Sequence, residues 1–178
     1  DREMDLKNLF SQADLLDFSA CLGVKRRQEI LLESDDFLVF SDFGHHPTAI
    51  EATLKSMRAR WPRRKTIACF EPRSNTAVTN VFQNRFADAL GNSDLVLLGA
   101  VHRAEKIPEN KRIDPLAMIK RIEASGGRGF VFSKNSILAD FLESEVKDSN
   151  PILIVFFSNG SFDGVMSRVA QTLSRSKA

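Results

Sequence analysis

The chain has no long hydrophobic segment and no signal-peptide pattern. Its longest uncharged apolar run is Ile152 to Phe157, far short of the roughly 20 apolar residues that cross a bilayer. The remaining composition, 43% hydrophobic and 27% charged over 178 residues, is typical of a soluble protein with one sizeable core and part of a second domain. We therefore expect a cytoplasmic protein without a membrane partner.

Cysteine is scarce, and no metal-binding pattern is present. Cys21 and Cys69 lie far apart among apolar neighbours, which predicts buried thiols rather than a disulfide. His45 and His46 are adjacent, and adjacent side chains of an extended chain point in opposite directions. Because no third ligand stands at suitable spacing, we expect no metal site within this chain.

Several catalytic motifs are also missing. The sequence contains neither the G-x-x-x-x-G-K-[ST] phosphate loop nor G-x-G-x-x-G, so it cannot hold a nucleoside triphosphate by itself in the usual way. It lacks the G-x-S-x-G turn that presents a nucleophilic serine. The net charge of +2 does not indicate nucleic-acid binding, and the basic cluster of residues 58–65 is better explained as the cationic end of a helix.

Short β-like runs alternate with helical ones along most of the chain. This pattern predicts an α/β fold, a Rossmann-like and mostly parallel sheet with helices on both faces. The predicted strands are Phe37–Phe40, Thr66–Phe70, Leu95–Leu98, Gly129–Phe132 and Ile152–Phe157. The predicted helices are Pro47–Arg60, Thr76–Leu90, Pro115–Ala124, Ser136–Val146 and Gly164–Leu173.

The beginning of the chain does not follow this alternation. Asp5 to Leu22 is predicted helical and Gln28 to Glu33 a strand that need not belong to the later sheet. This initial segment could be the remnant of a preceding domain. His102 to Ile113 forms one long polar connection, and loops of that length are usually functional or mobile.

Polar residues gather where the first strand of the alternation gives way to a helix. Asp42 could accept hydrogen bonds from ribose hydroxyls, or it could only cap a turn. His45 and His46 could donate to an anionic ligand at the helix N-terminus, or serve as a cap and a buried polar group. In open α/β sheets ligands bind outside the carboxyl ends of strands, which makes this junction the leading functional candidate.

Two further strand ends carry polar residues. Arg73, with Ser74 and Asn75, follows what we predict to be the neighbouring strand, and its planar guanidinium suits a carboxylate or phosphate. Ser158 and Asn159 follow the last strand beside the flexible Gly160, consistent with a backbone that approaches a ligand. The alternative interpretations are a solvated arginine and an ordinary tight turn.

Three separated motifs resemble the Mur ligases of bacterial cell-wall synthesis. They are Gly23-Val24-Lys25-Arg26-Arg27, Asp42-Phe43-Gly44-His45-His46-Pro47-Thr48-Ala49-Ile50 and Glu71-Pro72-Arg73-Ser74-Asn75-Thr76. Within that family the similarity is to the branch that recycles muropeptides, and the Ser158-Asn159-Gly160-Ser161-Phe162 turn fits it as well. The alanine-adding branch shares Gly44 to Pro47 but has a H-R-Y-T-R type run at residues 73–77.

The resemblance implies two parts of a larger enzyme. Residues 1–34 would be the tail of the central ATPase domain and residues 35–178 the C-terminal, peptide-binding domain. The implied cofactors are ATP and Mg²⁺, with the magnesium ligands mainly in the central domain upstream. The implied partners are UDP-N-acetylmuramate and the tripeptide L-Ala-γ-D-Glu-meso-diaminopimelate, and the fragment would be inactive alone.

The resemblance also assigns roles to residues. Arg27 would contact the ATP phosphates and Asp42 the ribose, while His45 and His46 would act with Arg27 in catalysis. The substrate-binding residues would be Arg73, Ser74, Asn75, Ser158 and Asn159. Two alternatives remain open, the C-terminal domain of a UDP-N-acetylmuramate:L-alanine ligase and a non-catalytic small-molecule binding module.

Overall fold

The computed structural model describes residues 26–146 and 151–175. Within them, six strands form one sheet in the order β1-β2-β6-β3-β4-β5. The strands are β1 Glu29–Glu33, β2 Phe37–Asp42, β3 Lys65–Phe70, β4 Leu95–Leu98, β5 Gly129–Val131 and β6 Ile152–Phe157. β1 pairs antiparallel with β2, and all other pairs are parallel. The predicted α/β class with a mostly parallel sheet is confirmed.

In the described part of the chain, five α-helices cover the two faces of this sheet. They are α1 Pro47–Arg60, α2 Gln83–Leu90, α3 Pro115–Ala124, α4 Asn135–Glu145 and α5 Val165–Arg175. The apolar sides of α1, α2 and α3 pack on one face, and those of α4 and α5 pack on the other. Every residue of β2, β4 and β6 is buried, as expected for parallel strands covered on both sides.

The helix boundaries follow from residues at their ends. Pro47 and Pro115 occupy first-turn positions, where a missing N–H costs no hydrogen bond. The Asp114 carboxylate caps α3 by accepting from the backbone N–H of Ala117 at 3.1 Å. Gly126 follows α3 with φ of +84°, the left-handed conformation that glycine adopts readily. Asp114 and Gly126 therefore mark the beginning and the end of α3.

The predicted helix Thr76–Leu90 is wrong in its first half. The regular helix begins only at Gln83, after a 3₁₀ turn at Asn80–Phe82, and Thr79 is extended and bridges to Arg112. The segment before it is rich in β-branched residues, which lose rotamer freedom in a helix. Tertiary burial of Ala77 and Val78 then fixes it as irregular chain, so Asn75 is not a helix cap.

Strand order differs from expectation in one respect. β2 and β3 are not neighbours, because β6 lies between them and pairs with both. β1 joins the sheet as its antiparallel edge strand. The placement of a domain boundary at residue 34 stays a prediction.

Some predictions lie outside the described residues, namely the helix Asp5–Leu22, Cys21 and the motif residues Gly23 to Lys25. Cys69 is fully buried on β3, and that burial raises the pKa of its thiol well above the usual range. Among the helices of the described residues, none combines the length and apolar character that a membrane crossing requires.

Candidate functional site at the carboxyl edge of the sheet

Three polar turns lie side by side at the carboxyl edge of the sheet. The backbone N–H of Ser158 donates to the carbonyl of Asp42 at 3.1 Å, and the N–H of Glu71 donates to the carbonyl of Phe157 at 3.1 Å. These two hydrogen bonds join the ends of β2, β6 and β3. The sequence motifs that follow these strands are therefore brought together by the strand order.

Asp42 is buried, with 5% of its surface exposed. One carboxylate oxygen accepts from the N–H of Gly44 at 2.6 Å, and the other accepts from the N–H of Gln28 at 3.2 Å. This geometry gives Asp42 the turn-capping role that was its alternative interpretation. A carboxylate oxygen has a second lone pair, so contact with a ribose stays a prediction.

Arg27, His45 and His46 surround this turn. The guanidinium of Arg27 lies over the Phe43 ring, 5.0 Å from its centroid. His45 Nδ1 lies 3.0 Å from the carbonyl oxygen of Phe43, and the exposed His46 accepts weakly from the N–H of Thr48 at 3.4 Å while its ring meets Phe82 edge-on. The His46 ring thus caps α1, and the Arg27 side chain is exposed beside the same turn.

A cavity of about 320 Å³ opens next to the turns that follow β3 and β6. Its lining consists of Arg73, Asn75, Val78, His102, Arg103, Lys106, Ile107 and Asn159. Three of these side chains are permanently cationic at neutral pH, so the cavity favours anionic groups. The Oδ1 atom of Asn159 is buried and has no hydrogen-bond partner among the described residues, a costly state for a polar atom.

The structure distributes the predicted substrate-binding residues unevenly. Arg73, Asn75 and Asn159 line the cavity together. The Ser74 hydroxyl instead accepts from the N–H of Ala77 at 3.1 Å and shapes the turn. Ser158 is 1% exposed and donates its hydroxyl to Glu71 at 2.5 Å, so it lies below the cavity wall.

Four residues that line this site or support it were not predicted from the sequence. They are Arg103, Lys106, Glu71 and Asn135. The first two lie in the long connection that was marked only by its length. Glu71 begins one of the family motifs but was given no predicted role, although its position directly after an apolar strand was a usable signal of function. Nothing in the sequence indicated Asn135, because its partners are more than 25 positions away.

The long connection is ordered by contacts with the turn after β3. The N–H of His102 donates to the carbonyl of Pro72 at 2.9 Å, and the N–H of Ile113 donates to the carbonyl of Val78 at 3.1 Å. Two 3₁₀ turns lie between them, at Ala104–Lys106 and Glu109–Lys111. This packing brings Arg103 and Lys106, at the first 3₁₀ turn, into the lining of the same cavity as Arg73.

The described residues do not fit a magnesium site. Among residues 26–146 and 151–175, no group of three or more histidine, cysteine or acidic side chains is arranged to hold a metal ion. Hard cations such as Mg²⁺ need oxygen ligands in octahedral geometry, so no step of the chemistry is assigned to the ion in this domain.

Comparison with known proteins identifies the family of this chain. The sequence profile of the family described as "Mur ligase, glutamate ligase domain" matches residues 26–158. The chain belongs to the Mur ligase family. Members of this family are ATP-dependent ligases, and the motif-based resemblance is thereby confirmed.

Two of the activities found among the relatives are the addition of L-alanine and the addition of a peptide. UDP-N-acetylmuramate--L-alanine ligases are 33% identical over 126 residues in Desulforapulum autotrophicum and 31% identical over 159 residues in Geotalea daltonii. These alignments cover 68% and 88% of this chain, and 27% and 33% of the two ligases. This chain therefore spans about a third of the length of these Mur ligases.

A solved structure points to the other activity. A murein peptide ligase from Psychrobacter arcticus superposes with a TM-score of 0.70 and 29% sequence identity. The match covers 90% of this chain and 32% of that ligase. This Mur ligase domain is thus similar both to alanine-adding and to peptide-adding enzymes.

Proposed function

We propose that this chain is the C-terminal, peptide-binding domain of an ATP-dependent ligase that joins L-Ala-γ-D-Glu-meso-diaminopimelate to UDP-N-acetylmuramate. The observation that carries the proposal is the cation-lined cavity of Arg73, Arg103 and Lys106. The likeness to the Psychrobacter arcticus peptide ligase supports it. The family and the ligase class are shared with the alanine-adding enzymes, so the choice of substrate rests on the cavity.

The charge of the cavity suits a substrate with several carboxylates. The tripeptide carries carboxylates on its glutamate and diaminopimelate residues, whereas L-alanine carries a single one beside a methyl group. Arg73 can grip one carboxylate through its planar fork of N–H donors. Arg103 and Lys106, which line the same cavity, would attract another.

The uncharged groups of the cavity add direction. The buried Oδ1 of Asn159 has no donor among the described residues, and rotation of this side chain toward the cavity would let an ammonium or amide N–H of the peptide satisfy it. Asn75 is exposed at the cavity wall, while Ser74 and Ser158 support the turns that carry Arg73 and Asn159. Acceptor and cations together favour a ligand with both amino and carboxylate groups.

The neighbouring turn would face the nucleotide. In this proposal Arg27 contacts ATP phosphate, Asp42 accepts from the ribose, and His45 and His46 donate to anionic groups beside the start of α1. Residues 1–34 would belong to the central ATPase domain and residues 35–178 to this peptide-binding domain. Mg²⁺ would be held by other parts of the full-length protein.

The proposed reaction proceeds in two steps. The γ-phosphoryl group of ATP is transferred to the muramoyl carboxylate, giving an acyl phosphate and ADP. The amine of the tripeptide then attacks the acyl carbon, loses a proton and expels phosphate as the amide bond forms. This domain would contribute by holding the amine close to the acyl phosphate, since proximity and closure can supply much of the rate.

The test is amide-bond formation by the full-length protein with ATP, Mg²⁺ and UDP-N-acetylmuramate, offering L-alanine and the tripeptide in parallel. We expect preference for the tripeptide. We also expect Arg73→Ala to raise the KM for the tripeptide by roughly 10- to 100-fold, because a charged contact is lost. Arg103→Gln combined with Lys106→Gln should reduce the preference for the tripeptide, and Lys120→Gln, an exposed change on α3, is the matched control.

A second candidate has support of its own. The two curated relatives above are named L-alanine ligases, so preference for L-alanine would assign this chain to that activity. Absence of product with either substrate would favour a non-catalytic small-molecule binding module.

A further inference from the structure

Glu71 is a buried carboxylate at the end of β3, with 3% of its surface exposed. Its Oε2 accepts from the Ser158 hydroxyl at 2.5 Å, and its Oε1 accepts from Asn135 Nδ2 at 3.2 Å. Oε1 also lies 3.4 Å from a guanidinium nitrogen of Arg73. A buried charge is costly unless it is paired and hydrogen-bonded, and this one has both kinds of partner.

Asn135 fixes the direction of this carboxylate. Its Nδ2 is shared with Asp163 Oδ2 at 2.9 Å, and its Oδ1 accepts from the N–H of Ala100 at 2.9 Å. This pattern determines which end of the amide faces Glu71, since only the NH₂ group can donate to carboxylates. The network therefore ties the turns that follow β3, β4, β5 and β6 to one another.

Arg73 is the one member of this network that lines the cavity. It lies directly against Gly160, where even an added methyl group would collide with the guanidinium. About 28% of the Arg73 side chain remains exposed. Glu71 below and Gly160 beside it together restrict a long side chain that would otherwise populate many rotamers.

We propose that Glu71, held by Asn135 and Ser158, is a positioning residue that orients Arg73 toward the anionic substrate. This inference rests on the proposed function, because it names the device that prepares that site. The ion pair keeps the guanidinium in place before the substrate arrives. Binding then costs less conformational entropy, which is the general benefit of preorganisation.

The central variant is Glu71→Gln in the full-length protein, with KM and kcat measured separately for the tripeptide. Glutamine keeps the shape and still accepts from Ser158, but it removes the charge that attracts Arg73. We expect the tripeptide KM to rise about tenfold, the effect of losing one charge-assisted contact. The KM values for ATP and UDP-N-acetylmuramate should not change.

Two comparisons separate positioning from general damage. In an Arg73→Ala background, Glu71→Gln should have no further effect on the tripeptide KM, because the residue it positions is gone. Glu145→Gln is the matched control, since Glu145 is likewise an ion-paired acid, with Lys65 and Arg128, but lies at the opposite edge of the sheet. It should leave the tripeptide KM unchanged. Ser158→Ala removes one donor to Glu71 and provides a milder second variant if Glu71→Gln folds poorly.

Crystal structures of the Glu71→Gln and Ser158→Ala proteins without ligand supply a readout that does not depend on the reaction. Movement or disorder of the Arg73 guanidinium supports the inference. An unmoved guanidinium overturns it, as does an unchanged tripeptide KM or an equal effect in the Arg73→Ala background. Failure of the unmodified protein to form any amide would overturn the proposed function instead, while the structures would still decide the role of Glu71.

Discussion

Acidic residues have different surroundings at the two edges of the parallel sheet. At the carboxyl edge, Asp42 and Glu71 are buried, with 5% and 3% exposure, and their short hydrogen bonds come from backbone or neutral side-chain donors, with one longer ion pair from Glu71 to Arg73. At the amino edge, the acids form ion pairs with basic side chains near the surface. Glu145 pairs with Lys65 at 3.2 Å and with Arg128 at 2.9 Å.

The basic cluster of residues 58–65 lies at the amino edge, where its side chains make structural contacts. Arg58 and Arg60 occupy the last turn of α1, and Arg58 pairs with Asp94 at 3.1 Å. Arg64 donates to the backbone carbonyls of Ser34 and Ile152. These contacts tie the helix end to the beginnings of neighbouring strands, which confirms the structural interpretation of the cluster as a cationic helix end.

The difference teaches where polar residues matter most. Half-exposed ion pairs contribute on the order of 0–1 kcal/mol each, because water and salt screen them. A buried carboxylate with several donors costs more to disturb, because its partners are left unsatisfied. We therefore expect substitutions of acids at the carboxyl edge to reduce both stability and binding. Substitutions of acids at the amino edge should have smaller effects on both.

The largest effect is expected from Asp42→Ala. The change leaves the N–H groups of Gly44 and Gln28 without their acceptor at a buried turn, which predicts a loss of about 3 kcal/mol in the free energy of unfolding. Urea denaturation measures it. Asp35→Ala, at an exposed position, is the control. A loss no larger in Asp42→Ala than in the control would remove the distinction between buried and exposed acids.

Gly160→Ala tests binding rather than stability at the same edge. Its methyl group would displace the flexible Arg73 side chain, so we expect the tripeptide KM to rise about tenfold with little change in unfolding free energy. Kinetics of the full-length protein and thermal unfolding measure the two quantities. Gly91→Ala, at φ of −60° after α2, is the control and should alter neither. A normal KM in Gly160→Ala would show that the position of Arg73 is unimportant.

Glu145→Gln addresses the amino edge. It removes the pairs with Lys65 and Arg128, and we expect a loss of about 1 kcal/mol or less in the free energy of unfolding. High salt should reduce the difference between the two proteins, because surface pairs are screened. A loss as large as that of Asp42→Ala would contradict the comparison between the edges.

The smallest effect is expected from the exposed pair of Asp88 and Arg121, which joins α2 to α3. The hydrogen bond from Arg121 lowers the pKa of Asp88 in the folded state. A lowered folded pKa means that the stabilisation is present above the unfolded value, near pH 4, and is lost as the pH falls through the folded value. The difference in melting temperature between unmodified protein and Asp88→Asn should therefore be small at pH 7 and vanish at strongly acidic pH. A difference that persists there would show another cause.

Much of the fold followed from local patterns. The runs of buried residues in β2, β4 and β6 were long, apolar and flanked by turn residues, so their strands were predicted within two residues. The helix starts at Pro47 and Asp114 rest on neighbouring residues alone. The helix start at Gln83 could not be predicted in this way, because burial of Ala77 and Val78 and the bridge from Thr79 to Arg112 overrode the helical spacing.

The candidate site was predicted only in part. Arg73, Asn75 and Asn159 follow strand ends and were proposed from that position; the structure places them in one cavity lining, and their contact with substrate stays a prediction. Arg103 and Lys106 reach the cavity because the long connection folds back onto Pro72 and Val78. The role of Asn135 depends on partners contributed by three other turns.

The sequence by itself determined the α/β class, the polar turns after the strands and the family motifs, because these depend on side-chain periodicity and on residues close together in the chain. Only the tertiary structure decided that β6 lies between β2 and β3. That order brings Ser158 beside Glu71 and, with Asn135, surrounds a buried carboxylate with donors. Strand order depends on packing between distant segments, and a hydrogen-bond network across four turns exists only after that packing has formed.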